Sequence, residues 1–303
     1  MAFIKSISGF RGTIGGQAGD NFTPEDIVAC TAAYGSWLMG QGKSPRVVVG
    51  RDARPSGSMV AQLVSSTLQS LGITVIDLGL STTPTVEMAV PELQAGGGII
   101  LTASHNPKEW NALKLLNDKG EFISADDGRS LLALVDNAQI TYAAVDDLGQ
   151  YETNTAMMDH HIAQVLAHPL VDAAAVRTRK FRVVVDAINS TGAISIPPLL
   201  EQLGCEVVIL NGEMSGQFAH NPEPLPANLI GLTEAVKSEG ADLGIAVDPD
   251  VDRLAFVGEN GMWIGEEYTL VLVADYILQH RPGAVVSNLS SSRALRDIAQ
   301  RHG

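Results

Sequence analysis

Residues 46–79 read RVVVGRDARPSGSMVAQLVSSTLQSLGITVIDLG. The run Val47-Val48-Val49 is short and β-branched, the form of a strand buried on both faces. A polar turn follows, then a helical stretch from Ser56 to Leu71, a Leu-Gly pair, and a second apolar run over 73–79. Strand, helix and strand at this spacing make a βαβ unit.

The alternation continues outward. TPTVEMAV (83–90) reads as a helix with Thr83 as N-cap and Pro84 at the first helical position. GGGIILT (96–102) and ALKLLN (112–117) read as strands, and a helix is expected over 126–138. The pattern resets after a polar stretch near 145–154, with a helix over about 154–167. FRVVVDAINSTG (181–192), AISIPPLLEQLG and CEVVILN (205–211) then repeat strand, polar turn, helix, Leu-Gly, strand, so the two stretches look like copies of one plan. A helix, ADLGIAVD (241–248) and RLAFVGENG (253–261) complete the second unit. Near 262 the pattern starts again: EEYTLVLVADYILQH (266–280) as helix, AVVSNLS (284–290) as strand, and the start of a further helix. The expected fold class is α/β, with two consecutive mixed or mostly parallel α/β/α sandwich domains of similar plan, 1–150 and 151–258, and the beginning of a third over 259–303.

Composition narrows the function. The 303 residues are 45% hydrophobic and 18% charged, as in a globular protein. A net charge of −14 argues against a nucleic-acid partner, which needs a basic face. If the substrate is anionic, the few cations must be gathered at its site. No apolar run is long enough to span a membrane, and the N-terminus has no signal-peptide form. Two distant thiols, Cys30 and Cys205, fit a reducing cytoplasm.

The chemistry concentrates in ILTASHNPKEWNALK (100–114). Ser104 directly follows a predicted strand, at the carboxyl edge where α/β sheets carry function. It lacks the Gly-x-Ser-x-Gly elbow of serine hydrolases, and the adjacent His105 is expected to point away from it, so acyl transfer is unattractive. A second motif, VDPDVDRLAF (247–256), alternates Asp248, Asp250 and Asp252. In extended backbone these carboxylates face one way and need a cation, for which hard oxygen ligands suit Mg²⁺. An EF-hand is excluded, because Arg253 stands where glycine is required and a strand follows. Arg11, Lys114 and Arg253 supply cations at loops of an acidic chain. A serine, three aspartates and clustered cations add up to phosphoryl transfer through a phosphoserine.

TASHNP (102–107), NALK (111–114), DPDVDR (248–253), SGFRG (8–12) and NPEPLPANL (221–229) together resemble the α-D-phosphohexomutase family, which includes phosphoglucomutase/phosphomannomutase and phosphoglucosamine mutase. The resemblance implies that Ser104 carries the phosphoryl group and that Asp248, Asp250 and Asp252 bind Mg²⁺ jointly with it. It implies that Lys114 and Arg11 assist proton and phosphoryl transfer, that Arg253 supports the phosphoserine or metal loop, and that His105 and Asn106 shape the serine loop. Arg51 is assigned a phosphate contact with Arg253 and Asn106. The implied reaction moves phosphate between the 1- and 6-positions of a hexose phosphate, with a hexose 1,6-bisphosphate as intermediate and activator.

The family has four domains, and neither the sugar-selecting loop of the third nor the phosphate loop of the fourth is in this sequence. The chain is therefore expected to be a fragment with little turnover, and to form homo-oligomers partly through its incomplete third domain. Glucose, mannose and glucosamine phosphates stay open as substrates. A non-catalytic phosphosugar-binding or regulatory protein of the same fold is the rival from another class. A metal-dependent phosphatase is disfavoured, since no water-activating base is evident.

Overall fold

A computed structural model describes residues 3–6, 9–137, 140–289 and 291–303. Ser8 of SGFRG, Ala138 at the end of an expected helix and Ser290 at the end of an expected strand lie outside the described residues.

The first unit runs β1 (Phe3–Ser6), β2 (Gly9–Thr13), α1 (Pro24–Gly40), β3 (Arg46–Arg51), α2 (Gly57–Ser70), β4 (Thr74–Leu80), α3 (Thr83–Glu92), β5 (Gly97–Leu101), β6 (Trp110–Leu116), α4 (Ala125–Asn137) and β7 (Tyr151–Thr153). Its seven strands lie in the order β1-β2-β6-β5-β3-β4-β7. The strands from β5 through β3 and β4 to β7 pair in parallel, and β1, β2, β6 and β5 pair antiparallel. The second unit runs α5 (Met157–Ala167), α6 (Ala173–Arg179), β8 (Arg182–Asp186), α7 (Gly192–Gln202), β9 (Glu206–Leu210), α8 (Ile230–Ser238), β10 (Leu243–Val247), β11 (Leu254–Gly258) and β12 (Trp263–Ile264). Its sheet has the order β12-β11-β10-β8-β9. Here β8 pairs in parallel with β9 and β10, and the other ladders are antiparallel. Both sheets are therefore mixed.

The repeat read from the sequence is present in the topology. The run β6-β5-β3-β4 and the run β11-β10-β8-β9 have the same order and the same strand directions. Each sheet takes in a short strand past residues 150 and 258, because β7 pairs with β4 and β12 with β11.

Each apolar strand feeds two cores. Val47 and Val49 join the cluster with Tyr34, Leu38, Val64 and Leu68 beneath α1 and α2, while Val48 turns to Ile76, Val86 and Val90 beneath α3. In the second unit Val184 packs with Leu232 and Val236 of α8, and Val183 and Val185 with Ile196 and Leu200 of α7. Each such side chain contributes about 1.5–3 kcal/mol when fully buried. Gly97 is required where α1 crosses β5, since a Cβ there would lie 2.1 Å from Tyr34 Oη.

Two local expectations change, and one helix is added. Helix α1, which the sequence reading passed over, starts at a capping box, with Thr23 and Asp26 bonded reciprocally and Pro24 in the first turn. In α3 the cap is Thr82, whose side chain accepts from Thr85 N, so Thr83 becomes a helical residue with its hydroxyl released for another partner. No strand forms over 284–289, because among the described residues no strand lies alongside to exchange hydrogen bonds. The stretch after β12 instead holds α9 (Glu266–His280) and α10 (Ala294–His302), which share a small core of Val271, Ala274 and Leu295. Helix α9 is tied to the second unit by Thr269 Oγ1 on the Leu254 carbonyl and Tyr276 Oη on that of Leu170. Among the described residues no helix is long and apolar enough to cross a membrane.

Candidate active site

Ser104 lies three residues beyond the carboxyl end of β5 and adopts φ +50°, in the left-handed region. Asn106 N closes the turn on the Ala103 carbonyl. Ser104 is nearly buried, and its hydroxyl donates to Asp248 Oδ2 at 2.6 Å, with Asp252 Oδ1 at 3.3 Å. His105 Nδ1 lies 3.4 Å from the same hydroxyl. The expectation that His105 faces away fails because side chains alternate only along extended backbone, and the left-handed turn at Ser104 breaks that alternation.

The aspartates occupy the connection between β10 and β11. Their ligand oxygens lie within 4.8 Å of one another. They converge through a tight turn rather than an extended segment: Val251 N bonds the Asp248 carbonyl, and Val251 itself has φ +62°, an outlier for a β-branched residue. Asp252 N and Arg253 N both donate to Asp248 Oδ1 at 3.1 Å. The Thr83 hydroxyl freed from capping donates to Asp250 Oδ2 at 2.6 Å, so the first unit holds a carboxylate of the second.

Lys114 Nζ stands 2.7 Å from carboxylate oxygens of both Asp250 and Asp252. Burial would lower its pKa, but the two carboxylates raise it above the ordinary lysine value. Asp248 is held well above the usual carboxylate range by burial and by the charges of Asp250 and Asp252. Burial pushes Asp250 the same way, yet the charge and hydrogen bond of Lys114, with the Thr83 bond, hold it below that range.

The remaining expected residues divide. Arg11 faces Ala112 in the β2–β6 ladder, where Gly9 faces Lys114, so Arg11 and Lys114 share one face of the sheet. Arg11, Lys114, Ser104, His105 and Asn106 line one cleft of about 310 Å³. Arg253 reaches Glu223 at 3.2 Å, and burial together with the Arg253 charge keeps His105 below its ordinary pKa. Arg51 is not brought to this cleft. Its Nη1 donates to the Asp52 carbonyl, and its side chain lines a separate pocket with Asp77 and Tyr151.

Sequence reasoning missed Arg54, Asp52, Thr102, Thr83 and Ser190, whose buried bonds frame the site. Arg54 and Asp52 form an ion pair with no side-chain exposure. The signal was available in RDARP: an Asp-x-Arg at the end of a strand with an apolar, buried middle, at the carboxyl edge of a sheet, buries charge only if paired.

The cluster could hold a divalent cation. Asp250 Oδ1 is buried without a hydrogen-bond partner. With Asp248 ionised, as a bound cation would favour, three carboxylates against one lysine ammonium leave two negative charges, the complement of such an ion. Hard oxygen donors of this kind suit Mg²⁺ or a similar ion.

Two family models match in series, phosphoglucomutase/phosphomannomutase alpha/beta/alpha domain I over residues 4–141 and domain II over residues 159–261. The chain belongs to the α-D-phosphohexomutase family. It is 38% identical over 297 residues to a phosphoglucomutase/phosphomannomutase of Thermococcus kodakarensis, covering 96% of this chain and 64% of that protein. It is 34% identical to a probable phosphoglucosamine mutase of Methanopyrus kandleri, covering 97% of this chain and 64% of that one. Among solved structures, a putative phosphomannomutase from Thermus thermophilus superposes with a TM-score of 0.84 at 28% identity, covering 99% of this chain and 67% of that one. This member of the family thus spans 64% of the length of the two curated relatives and 67% of that of the solved structure.

Proposed function

We propose that the chain supplies the phosphoserine and metal-binding parts of a Mg²⁺-dependent phosphohexomutase, an isomerase that moves phosphate between the 1- and 6-positions of a hexose phosphate. The observation that carries this reading is the Ser104 hydroxyl, 2.6 Å from Asp248 within a cluster of three carboxylates. Once phosphorylated, a hydroxyl so held serves as a phosphoryl carrier: its Oγ–P bond breaks as the free hydroxyl of the sugar phosphate attacks phosphorus and gives up its proton, forming a hexose 1,6-bisphosphate, and the phosphate at the other end then returns to Oγ as its sugar O–P bond breaks and that sugar oxygen takes up a proton. Asp248, Asp250 and Asp252 would hold the Mg²⁺, which when bound withdraws charge from phosphoryl oxygens. Lys114 and Arg11, on one face of the first sheet, neutralise phosphate oxygens in the cleft. His105 and Asn106 shape the wall around Ser104, and Arg253, braced by Glu223, supports the aspartate turn.

In this reading residues 1–150 carry the phosphoserine loop, 151–258 the metal loop, and 259–303 begin a third unit. The sugar and the distal phosphate would be met by parts of the family architecture beyond these motifs, so the chain alone turns over slowly. A hexose 1,6-bisphosphate is the natural activator, because it phosphorylates the serine directly. Two unpaired thiols, Cys30 and Cys205, favour a cytoplasmic setting.

The test is intact mass after incubation with glucose 1,6-bisphosphate and Mg²⁺. The chain gains one phosphoryl group, and Ser104→Ala gains none. Phosphopeptides mapping to another residue would overturn the assignment.

A further inference from the structure

The two loops that meet at the site come from different units, and a set of buried bonds beneath them relates the two in addition to the contacts of Ser104, Thr83 and Lys114 with the aspartates. The turn Asp52-Ala53-Arg54, after β3, touches both. On the serine side, Arg54 Nε bonds both oxygens of Asp52, at 3.0 and 2.8 Å. Its Nη2 donates to the Ser104 carbonyl at 3.0 Å, and its Nη1 donates to the Trp110 carbonyl at the start of β6. Asp52 Oδ2 accepts from the Thr102 hydroxyl at 2.7 Å, whose oxygen accepts from Ser104 N at 2.9 Å. The buried ion pair thus holds the Ser104 carbonyl directly and the Ser104 N–H through Thr102, on either side of its left-handed φ.

On the aspartate side, Ala53 N donates to Ser190 Oγ at 3.2 Å, and Ser190 Oγ donates to the Pro249 carbonyl between Asp248 and Asp250 at 2.7 Å. Ser190 is fully buried. The loop before His220 closes on the same turn: Gly216 has φ +66°, and a Cβ there would lie 2.0 Å from the Ala53 carbonyl oxygen. A guanidinium suits the task, because its planar fork serves several acceptors at fixed angles where an ammonium could not.

We propose that the turn 52–54 is the positioning hub of the site, hanging the Ser104 loop from Arg54 and the aspartate turn from Ala53 through Ser190, so that the carrier hydroxyl and the carboxylates are registered before any ligand arrives. Asp52, Arg54, Thr102 and Ser190 are buried positioning residues that act through the two loops, Thr102 from the wall of the cleft itself. The proposal rests on the phosphoserine reading for its consequence, but not for its geometry.

Truncating Arg54 would strand a buried carboxylate and risk unfolding, so the test uses near-isosteric changes: Thr102→Val, Thr102→Ser and Ser190→Ala. Amide hydrogen exchange in the absence of ligand reads the geometry. Thr102→Val raises exchange at Ser104 at least tenfold, Thr102→Ser restores the parent rate within threefold, and Ser190→Ala raises exchange at Val251 and Asp252 while leaving β3 and β5 protected. Phosphoryl uptake from glucose 1,6-bisphosphate reads the consequence. Thr102→Val slows it at least tenfold while the Mg²⁺ affinity of the aspartates changes less than threefold. Unchanged loop exchange in Thr102→Val and Ser190→Ala overturns the hub, as does a rise spread evenly over the whole fold. A parent chain that takes up no phosphoryl group, with loop exchange behaving as stated, overturns the phosphoserine reading and leaves the hub standing.

Discussion

The Ser104 hydroxyl donates to Asp248 Oδ2 across 2.6 Å, although 144 positions separate the two residues. A phosphate on that oxygen would bring roughly −1.5 to −2 of charge to the edge of the carboxylate cluster. The phosphorylated chain is therefore expected to bind Mg²⁺ at least tenfold more tightly than the unphosphorylated one. Calorimetry on the two forms checks this, and equal affinities would count against a shared serine–aspartate metal site.

Asp250 is the most enclosed member of the cluster, with one oxygen held by Thr83 and Lys114 and the other unpartnered. Asp250→Asn keeps its shape and removes its charge. Mg²⁺ affinity should fall at least tenfold, about 1.4 kcal/mol, with the fold intact by circular dichroism. An affinity within twofold of the parent would remove Asp250 from the ligand set.

Lys114 compensates two carboxylates at 2.7 Å and is mostly buried. Lys114→Met leaves them without that counter-charge, at a cost of about 3 kcal/mol when a buried pair loses one partner. Mg²⁺ can replace the lost charge, so the melting temperature should drop in EDTA and recover largely on adding Mg²⁺. An equal drop in both conditions would show that Lys114 acts through packing alone.

His220 Nε2 lies 2.9 Å from Asp186 Oδ2 in the second unit. Burial opposes the charged imidazole, but the Asp186 hydrogen bond and charge raise its pKa above the usual value. Burial likewise opposes the Asp186 carboxylate, and bonds from His220 and Asn211 lower its pKa. A raised histidine stabilises fully below its unfolded pKa of about 6.5 and loses that contribution as pH rises through the folded value. A lowered aspartate stabilises above its unfolded pKa and loses its contribution as pH falls through the folded one. The pair therefore contributes most between about pH 4 and 6.5. His220→Gln should cost on the order of 1 kcal/mol at pH 5.5 and distinctly less at pH 8.5 in urea melts, and a pH-independent loss would contradict the ion pair.

Leu270, Leu272, Val273 and Ile277 of α9 are each more than a third exposed, as are Val286 and Leu289 beyond it. Exposed apolar side chains in this number invite self-association. Sedimentation velocity of the chain should show concentration-dependent dimers or larger species, and Leu272→Glu with Val273→Glu should shift it toward monomer. A parent that stays monomeric at 100 µM (a concentration of about 10⁻⁴ M, well above a micromolar Kd) would contradict this.

Much of this architecture was legible in the one-dimensional pattern. Runs such as Val47-Val48-Val49 and Val183-Val184-Val185 announce strands buried on both faces, and the Leu-Gly pairs after the intervening helices mark the return to the sheet, so the α/β class and the repeated plan follow from local preference. Ser104 and the three aspartates stood out for the same reason: polar groups at strand ends, in patterns that need a partner. What local preference cannot encode is which distant groups become those partners. Thr82 and Thr83 are near-equivalent as caps, and only the approach of Asp250 shows why Thr83 is the one left over. His105 turns toward Ser104 because a buried Arg54, fifty residues earlier, fixes the intervening backbone. Arg51 and Arg54 look alike in sequence, yet strand register and the turn after β3 send one to a separate pocket and the other beneath the carrier serine. A strand over 284–289 satisfied every local criterion and did not form, since a strand exists only beside another that completes its hydrogen bonds. Residue type and spacing determined the elements and the reactive groups; long-range hydrogen bonding and charge pairing decided which of those groups meet.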